Sequence, residues 1–301
     1  MKKSDILIIG GGPAGLTAAL YAARAGADVT LIEERICGGQ ITGTEEVENL
    51  PGVMSIGGPE LAMNLLAQAE NAGAKIEYAT VRSVCFDVKK AKTDDDEYTA
   101  KAIILAMGAG PRRLETHGAE RFDGRGIHYC GMCDGAFYKD RDVVVIGGGN
   151  SAVEEVTYLS PIVKSITVVN NLADFTAQTI LVEKLLQLDN IKNIYHGNVV
   201  AKINGDDSLE SIEIKDKGGK TKTIKCDGVF VTIGRAPNSH LVKGKIDLVG
   251  GYIPVDGKMQ TAVPGIYAAG DIIEKQIRQI VTACSDGAVA ASHAVHFIKS
   301  V

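Results

Sequence analysis

Two stretches of the chain carry the same succession of apolar runs, glycines and helically spaced apolar residues. Residues 5–33 read DILIIGGGPAGLTAALYAARAGADVTLIE, and residues 142–170 read DVVVIGGGNSAVEEVTYLSPIVKSITVVN. Each opens on a short unbroken apolar run, the mark of a strand covered on both faces of a parallel sheet. A glycine cluster, a helical pattern and a second apolar run follow, so each copy predicts a strand, a tight turn, a helix and a strand. Such βαβ units build doubly wound sheets, which bind dinucleotides at the carboxyl ends of their strands with the pyrophosphate over a helix N-terminus.

Around these units the pattern predicts a loop over residues 35–52, a helix over 59–72 and β-rich segments as far as Ala106. After the second unit it predicts a helix near 177–188, short strands between 193 and 231, a strand at 265–269 and a long helix at 278–299. Charged, turn-rich stretches at 112–126 and 239–251 are candidate boundaries. The expected class is α/β with two Rossmann-like, three-layer nucleotide-binding domains, one inserted into the other. The outer domain takes residues 1–113 and 241–301, and the inserted one residues 114–240.

Composition narrows the function. The 301 residues are 45% hydrophobic and 23% charged, as in a globular protein large enough for two domains. A net charge of −5 argues against a general binder of nucleic acid or of an anionic membrane, while leaving room for a local basic patch. The apolar opening at 6–23 behind Lys2 and Lys3 resembles a signal peptide, but four glycines and Pro13 interrupt it. The expected location is therefore cytoplasmic. Of six cysteines only Cys130 and Cys133 are close together, which leaves no spacing for a zinc site or a four-cysteine iron-sulfur cluster. In a cytosolic chain a lone C-x-x-C reads as redox-active. Cys37, Cys85, Cys226 and Cys284 read as packing.

Gly10, Gly12 and Gly15 satisfy G-x-G-x-x-G between strand and helix: the first allows the turn, the second lets backbone approach a pyrophosphate, and the third lets helix and strand pack closely. Glu33 ends the second strand, where a carboxylate can accept from a ribose diol. Laid on this repeat without a gap, the second copy sets Gly147, Gly149 and Ala152 against those glycines and Asn170 against Glu33. An amide lacks the charge-assisted acceptance of a carboxylate, which weakens the case for NADH. A 2′-phosphate needs arginine just past this strand, and NNLADFTA supplies no cation while Asp174 adds repulsion. Losing two charge-assisted phosphate bonds at roughly 1.5–3 kcal/mol each weakens binding by about two to four powers of ten. Lys164 or Arg235 folding back, or a loosely held NADH, remain as alternatives.

The chain resembles the low-molecular-weight flavin thioredoxin reductases nearly end to end. The motifs that carry the likeness are GGQI at 38–41, ENLPG at 48–52, AMGAGPR at 106–112, CDGAFY at 133–138, AAGD at 268–271 and RQIVTA at 278–283, in that family's order. The resemblance implies FAD in the first site, held by Gly10, Gly12, Pro13, Ala14, Gly15, Glu33, Gly39, Gln40, Asn49, Val81, Gly108, Gly270, Asp271, Arg278, Gln279 and Ile280. It also implies that Cys133 takes electrons from the flavin, that Cys130 exchanges with a thioredoxin or thioredoxin-like protein, and that Asp134 moves the proton. In that family the inserted domain rotates to present the cysteines alternately, and the enzyme is a homodimer. Family members carry a histidine and arginines where this chain has 171–176, so it looks most like the ferredoxin-linked, pyridine-nucleotide-independent branch. Arg112, Arg113, Arg121, Arg125, Lys139 and Arg141 could form a basic patch for an acidic ferredoxin, or an ordinary solvated surface. Other readings are an NAD(P)H-dependent thioredoxin reductase with an atypical nucleotide site, a ferredoxin-NADP reductase, and a non-catalytic flavin redox sensor or adaptor.

Overall fold

The computed structural model describes residues 1–44 and 46–300. They form two compact units, one of Met1–Gly110 with Pro237–Val301 and the other of Pro111–Ala236. The chain passes between them at residues 110–111 and 236–237, a few positions before the expected limits of 114 and 240. The charged stretches expected to be boundaries lie inside the units instead. Ala119 and Phe122 are buried in the core of the second unit, and Leu241, Val242 and Ile246 in a core of the first. Apolar residues spaced through those stretches anchor them in spite of their turn-rich composition.

In the first unit five parallel strands lie in the order Ile266–Ala268, Ala102–Leu105, Ile6–Ile9, Val29–Glu33, Lys75–Tyr78. The central Ile6–Ile9 is covered on both faces, which is why it is apolar without alternation. Helix Pro13–Arg24 packs on helix Ile280–Ile298 through small residues: Ala14, Ala18, Ala22, Ala290, Ala291 and Ala294 are all buried. At Gly287 a Cβ would collide with the Ala14 carbonyl, so glycine sets how closely the two helices approach. This helix starts two residues later than expected, because the Gln279 N–H turns to Thr282 Oγ1 at 3.2 Å and leaves Arg278 and Gln279 outside it.

The second unit repeats the plan. Its parallel strands run Ile127–His128, Gly228–Val231, Asp142–Ile146, Ser165–Asn170, Ile191–His196. An antiparallel sheet of Asn198–Asn204, Ser211–Asp216 and Thr221–Lys225 adds to it. Helix Asn150–Leu159 follows the glycine turn and buries Ala152, Val153, Val156 and Leu159. Among the described residues no helix is long and apolar enough to cross a membrane.

Candidate functional site

The first glycine turn is shaped by what surrounds it. Gly10 has φ +105°, and a Cβ there would strike the Ala106 carbonyl. A Cβ on Gly15 would run into the Gly10 carbonyl, so helix and strand meet at backbone distance. Gly12 differs: its φ of −74° suits any residue, and a Cβ would meet nothing within 4 Å. Nothing in the described protein demands glycine there, so the demand fits a ligand lying against the backbone. Gly12 also caps helix Pro13–Arg24 without a side-chain bond, leaving its first N–H groups for an anion.

The Glu33 carboxylate is held by two backbone donors, Gly11 N to Oε2 at 2.6 Å and Arg35 N to Oε1 at 3.0 Å. Around this turn the unit gathers several other expected residues. A Cβ on Gly39 would be 3.2 Å from Gly12 Cα, and one on Gly270 would be 2.7 Å from Ala14 Cβ. Gln40 Nε2 donates to Ala109 O at 2.8 Å, Asn49 Nδ2 donates to Gln279 Oε1 at 3.1 Å, and Ile280 opens the last helix. Val81 is buried, and Gly108 has φ +64° with open space where a Cβ would be. Among the described residues of this unit two buried polar side-chain atoms have no hydrogen-bond partner, Asp271 Oδ1 and Arg278 Nε, although the Arg278 guanidinium lies 4.2 Å over the Tyr252 ring. An acceptor and a donor without hydrogen-bond partners, one just past Gly270 and one just before the last helix, fit a dinucleotide with hydroxyls and phosphates to offer.

Sequence reasoning missed the group that stiffens this end. Lys275 Nζ is 2.8 Å from Asp286 Oδ2 and 3.6 Å from Asp271 Oδ1, with all three side chains largely buried. Asp286 Oδ2 also accepts from Gly270 N at 3.2 Å, tying the AAGD turn to the last helix. One lysine faces two carboxylates here, and its closer contact is with Asp286, which leaves Asp271 the freer of the pair.

In the second unit Cys130 and Cys133 form a disulfide with Cα atoms 5.3 Å apart. Cys130 caps the short helix Gly131–Asp134, its Sγ accepting from Cys133 N at 3.2 Å, while its carbonyl accepts from Asp134 N at 3.1 Å. The Asp134 carboxylate is 3.1 Å from His128 Nδ1, and His128 Nε2 is 2.8 Å from the Tyr138 hydroxyl. His128 and Tyr138 are buried and pack on Phe230. Glu155, from helix Asn150–Leu159, lies against Gly131 with Oε1 buried and unpartnered. Burial pushes its carboxyl up from the ordinary range; the Gly131 N–H pulls the other way and nearby Asp134 adds to the rise.

The remaining cysteines divide. Cys37 and Cys226 are buried, and burial pushes both thiols up, that of Cys226 to about 12. Cys284 is half-buried, but Cys85 is exposed, which corrects the expectation of packing there. Strand Ser83–Cys85 alternates, with only Val84 facing inward.

The second glycine turn keeps the first's backbone. Gly147 has φ +146° under the Thr232 carbonyl, Gly149 caps its helix with nothing nearer to a Cβ than Thr176 Oγ1 at 3.8 Å, and Ala152 stands buried at the third position. The residue opposite Glu33 behaves differently. Asn170 is 1% exposed, donates to Asp174 O at 2.7 Å and accepts from Leu172 N at 3.1 Å. Its amide therefore folds residues 171–174 around itself. Thr176 N and Ala177 N then donate to Gly148 O at 2.7 and 3.2 Å, closing the segment onto the turn. Lys164 does not fold back to this end. It lies 3.5 Å from Asp142 at the opposite end of strand Ser165–Asn170, about 20 Å away at strand spacing.

The model of the pyridine nucleotide-disulphide oxidoreductase family matches residues 4–287. A thioredoxin reductase of Listeria innocua is 41% identical over 306 residues, covering 100% of this chain and 95% of the relative. A Clostridium pasteurianum protein described as a 34.2 kDa protein in rubredoxin operon is likewise 41% identical, over 99% of this chain and 98% of its own. The crystal structure of Lactococcus lactis thioredoxin reductase superposes with a TM-score of 0.92 at 40% identity, covering 99% of this chain and 100% of that one. With the glycine turns and the C-x-x-C disulfide in place, the chain belongs to the FAD-binding, low-molecular-weight flavin thioredoxin reductases of the pyridine nucleotide-disulphide oxidoreductase family.

Proposed function

We propose that this thioredoxin reductase draws its electrons from a one-electron carrier of the ferredoxin type and not from NADPH, and passes them through Cys130 and Cys133 to thioredoxin. The observation that carries the reading is the second glycine turn. Its strand ends in an amide bonded to its own loop and to His196 of the neighbouring strand, and residues 170–177 contain no cation to meet a 2′-phosphate. The thioredoxin reductases among its relatives belong to a class usually served by NADPH, so the reading rests on this chain's own residues.

When bound, FAD supplies the ability to collect single electrons and release them as a pair. Gly12, Gly15 and the N-terminus of helix Pro13–Arg24 would hold its pyrophosphate, Glu33 its adenosine ribose, and Asp271 its ribityl chain. Gly39, Gln40, Asn49, Val81, Gly108 and the stretch from Arg278 to Ile280 would line the rest. Cys133 would receive the pair as its bond to Cys130 breaks. The Cys130 thiolate then attacks the thioredoxin disulfide, and Asp134 takes up and returns the proton. The energetics allow it: a ferredoxin near −400 mV lies about 130 mV below thioredoxin near −270 mV, roughly 6 kcal/mol downhill for two electrons. The working form would be a homodimer, checked by light scattering.

Anaerobic bleaching of the flavin separates the donors. Reduced ferredoxin is expected to bleach it rapidly while NADPH and NADH at micromolar concentration leave it yellow. Rapid bleaching by NADPH overturns the donor assignment. Replacing Cys133 by serine should abolish thioredoxin reduction while FAD stays bound, and retained turnover would remove the disulfide from the path.

A further inference from the structure

Beside the disulfide lies a chain of contacts of which the mechanism above uses only Asp134. Asp134 Oδ2 meets His128 Nδ1 at 3.1 Å, and His128 Nε2 meets the Tyr138 hydroxyl at 2.8 Å. An ionised carboxylate only accepts, so Nδ1 carries a hydrogen. In the neutral ring Nε2 is then an acceptor, and the single phenolic hydrogen of Tyr138 is directed at it. Both ring nitrogens are engaged, and the arrangement leaves one proton-binding position on the ring, His128 Nε2, held behind a hydroxyl. The cage around it is apolar: His128 is buried on strand Ile127–His128, with the Phe230 ring 5.6 Å away from the neighbouring strand. The charged groups facing the chain are few. Asp134 comes from the cysteine helix and Tyr138 from the turn after it; beyond them Glu155 faces Asp134, and Arg141, Asp227 and Cys226 act on Tyr138.

We propose that His128 is a positioning residue that stores one of the protons taken up when the Cys130–Cys133 disulfide is reduced, becoming an imidazolium paired with Asp134. The inference rests on Cys130 and Cys133 being the pair that turns over. Two electrons from the reduced flavin break the sulfur–sulfur bond, and of two protons from solvent one goes to a cysteine sulfur by way of Asp134. The other goes to His128 Nε2 as the Tyr138 hydroxyl swings aside. The products are one thiol, one thiolate and one imidazolium, so charge and atoms balance. The imidazolium, paired with the Asp134 that follows Cys133 in the chain, stabilises the new thiolate for attack on a disulfide. When the partner dithiol leaves, the stored proton goes back through Asp134 to the sulfur that needs it. Asp134 held by Oδ2 keeps Oδ1 for that exchange.

The reading is the pH dependence of the Cys130–Cys133 midpoint potential in the FAD-loaded enzyme, set by thioredoxin of known redox ratio and read by thiol alkylation and mass spectrometry. For a two-electron couple each proton taken up shifts the potential by about 30 mV per tenfold change in proton concentration. The wild type should therefore move by about 60 mV per pH unit between pH 6 and 8, the slope of two protons. His128→Gln keeps a donor toward Asp134 but cannot store a proton. With the imidazolium gone the second proton goes to the sulfur instead, so the slope stays near that of two protons, while alkylation of the reduced dithiol by iodoacetamide at pH 7 should slow severalfold as its thiolate is lost. Tyr138→Phe frees Nε2 and should keep the full slope. An unchanged alkylation rate in His128→Gln overturns the proposal. Should that variant fail to fold, the ¹⁵N shifts of the wild-type His128 ring decide: a neutral ring in the oxidised enzyme and an imidazolium in the reduced one are expected, and identical shifts in both overturn it. Failure of the disulfide assignment is distinguishable, since Cys133→Ser would then still reduce thioredoxin.

Discussion

At the first glycine turn the carboxylate of Glu33 takes the N–H of Gly11; at the second the amide of Asn170, in the matching place, takes no bond from the turn and bends its own loop instead. The two backbones are nearly interchangeable. Both have a positive-φ glycine jammed under a carbonyl, both cap a helix with a glycine that no neighbour requires, and both sit between parallel strands. Two turns can thus share a backbone shape while the side chain that ends the neighbouring strand bonds quite differently. Shape is maintained by backbone packing, and grip by a few side chains that packing does not protect.

The comparison breaks most sharply at Gly12 and Gly149, where a methyl group meets nothing in the protein closer than Thr176 Oγ1 at 3.8 Å. Gly12→Ala should leave the fold intact yet push a methyl into the pyrophosphate path, costing two charge-assisted bonds and weakening FAD by about two to four powers of ten. Gly149→Ala should change neither flavin content nor ferredoxin-driven turnover. Flavin content and unfolding temperature of both variants check this; equal losses would make the turns equivalent. A smaller effect is expected from Glu33→Gln, which turns a carboxylate acceptor of two N–H groups into an amide. FAD should bind roughly 10 to 100 times more weakly, as followed by fluorescence on dilution. The same exchange in reverse sharpens the contrast: Asn171→Arg with Asp174→Arg should bring NADPH affinity up by about tenfold, at the lower end of one restored charge-assisted bond. No gain would mean that the closed loop, and not the missing charge, excludes the nucleotide.

How far this could be read beforehand varied by the kind of information. The duplicated units were legible because strands covered on both faces admit only apolar residues, and Ile6–Ile9 and Asp142–Ile146 advertise that. The vacancy of cations at 171–177 was legible too, since an ungapped repeat lines up Asn170 with Glu33. What Asn170 does was not, because its partner Asp174 O is a backbone atom whose place depends on the loop's path. His128 and Tyr138 were missed for a similar reason: they reach Asp134 across a chain reversal of a few residues, without any periodic signal. Lys275 and Asp286 meet only because the last helix turns back on the AAGD turn. The boundaries slipped because composition marks exposed turns and says little about the scattered apolar anchors Phe122, Leu241 and Val242.

The smallest effect expected concerns a residue in the second unit that has no part in the grip. Burial pushes the Cys226 thiol up to about 12, against 9.0 for an ordinary one. Above pH 9 the unfolded chain loses this proton and the folded one keeps it, so stability falls as pH rises, by about 1 kcal/mol per unit. The unfolding temperature should drop by about 2–4 °C between pH 9 and 10 from this group, and Cys226→Ala should flatten that part of the profile. No comparable slope is expected to distinguish the two glycine turns, since neither contains this thiol.

The most direct test of the central claim is calorimetric titration of NADPH into the oxidised, FAD-loaded enzyme at low salt. An empty grip predicts no saturable binding below about 1 mM. A single site with a Kd of a few micromolar, lost on disrupting residues 171–177, would contradict it.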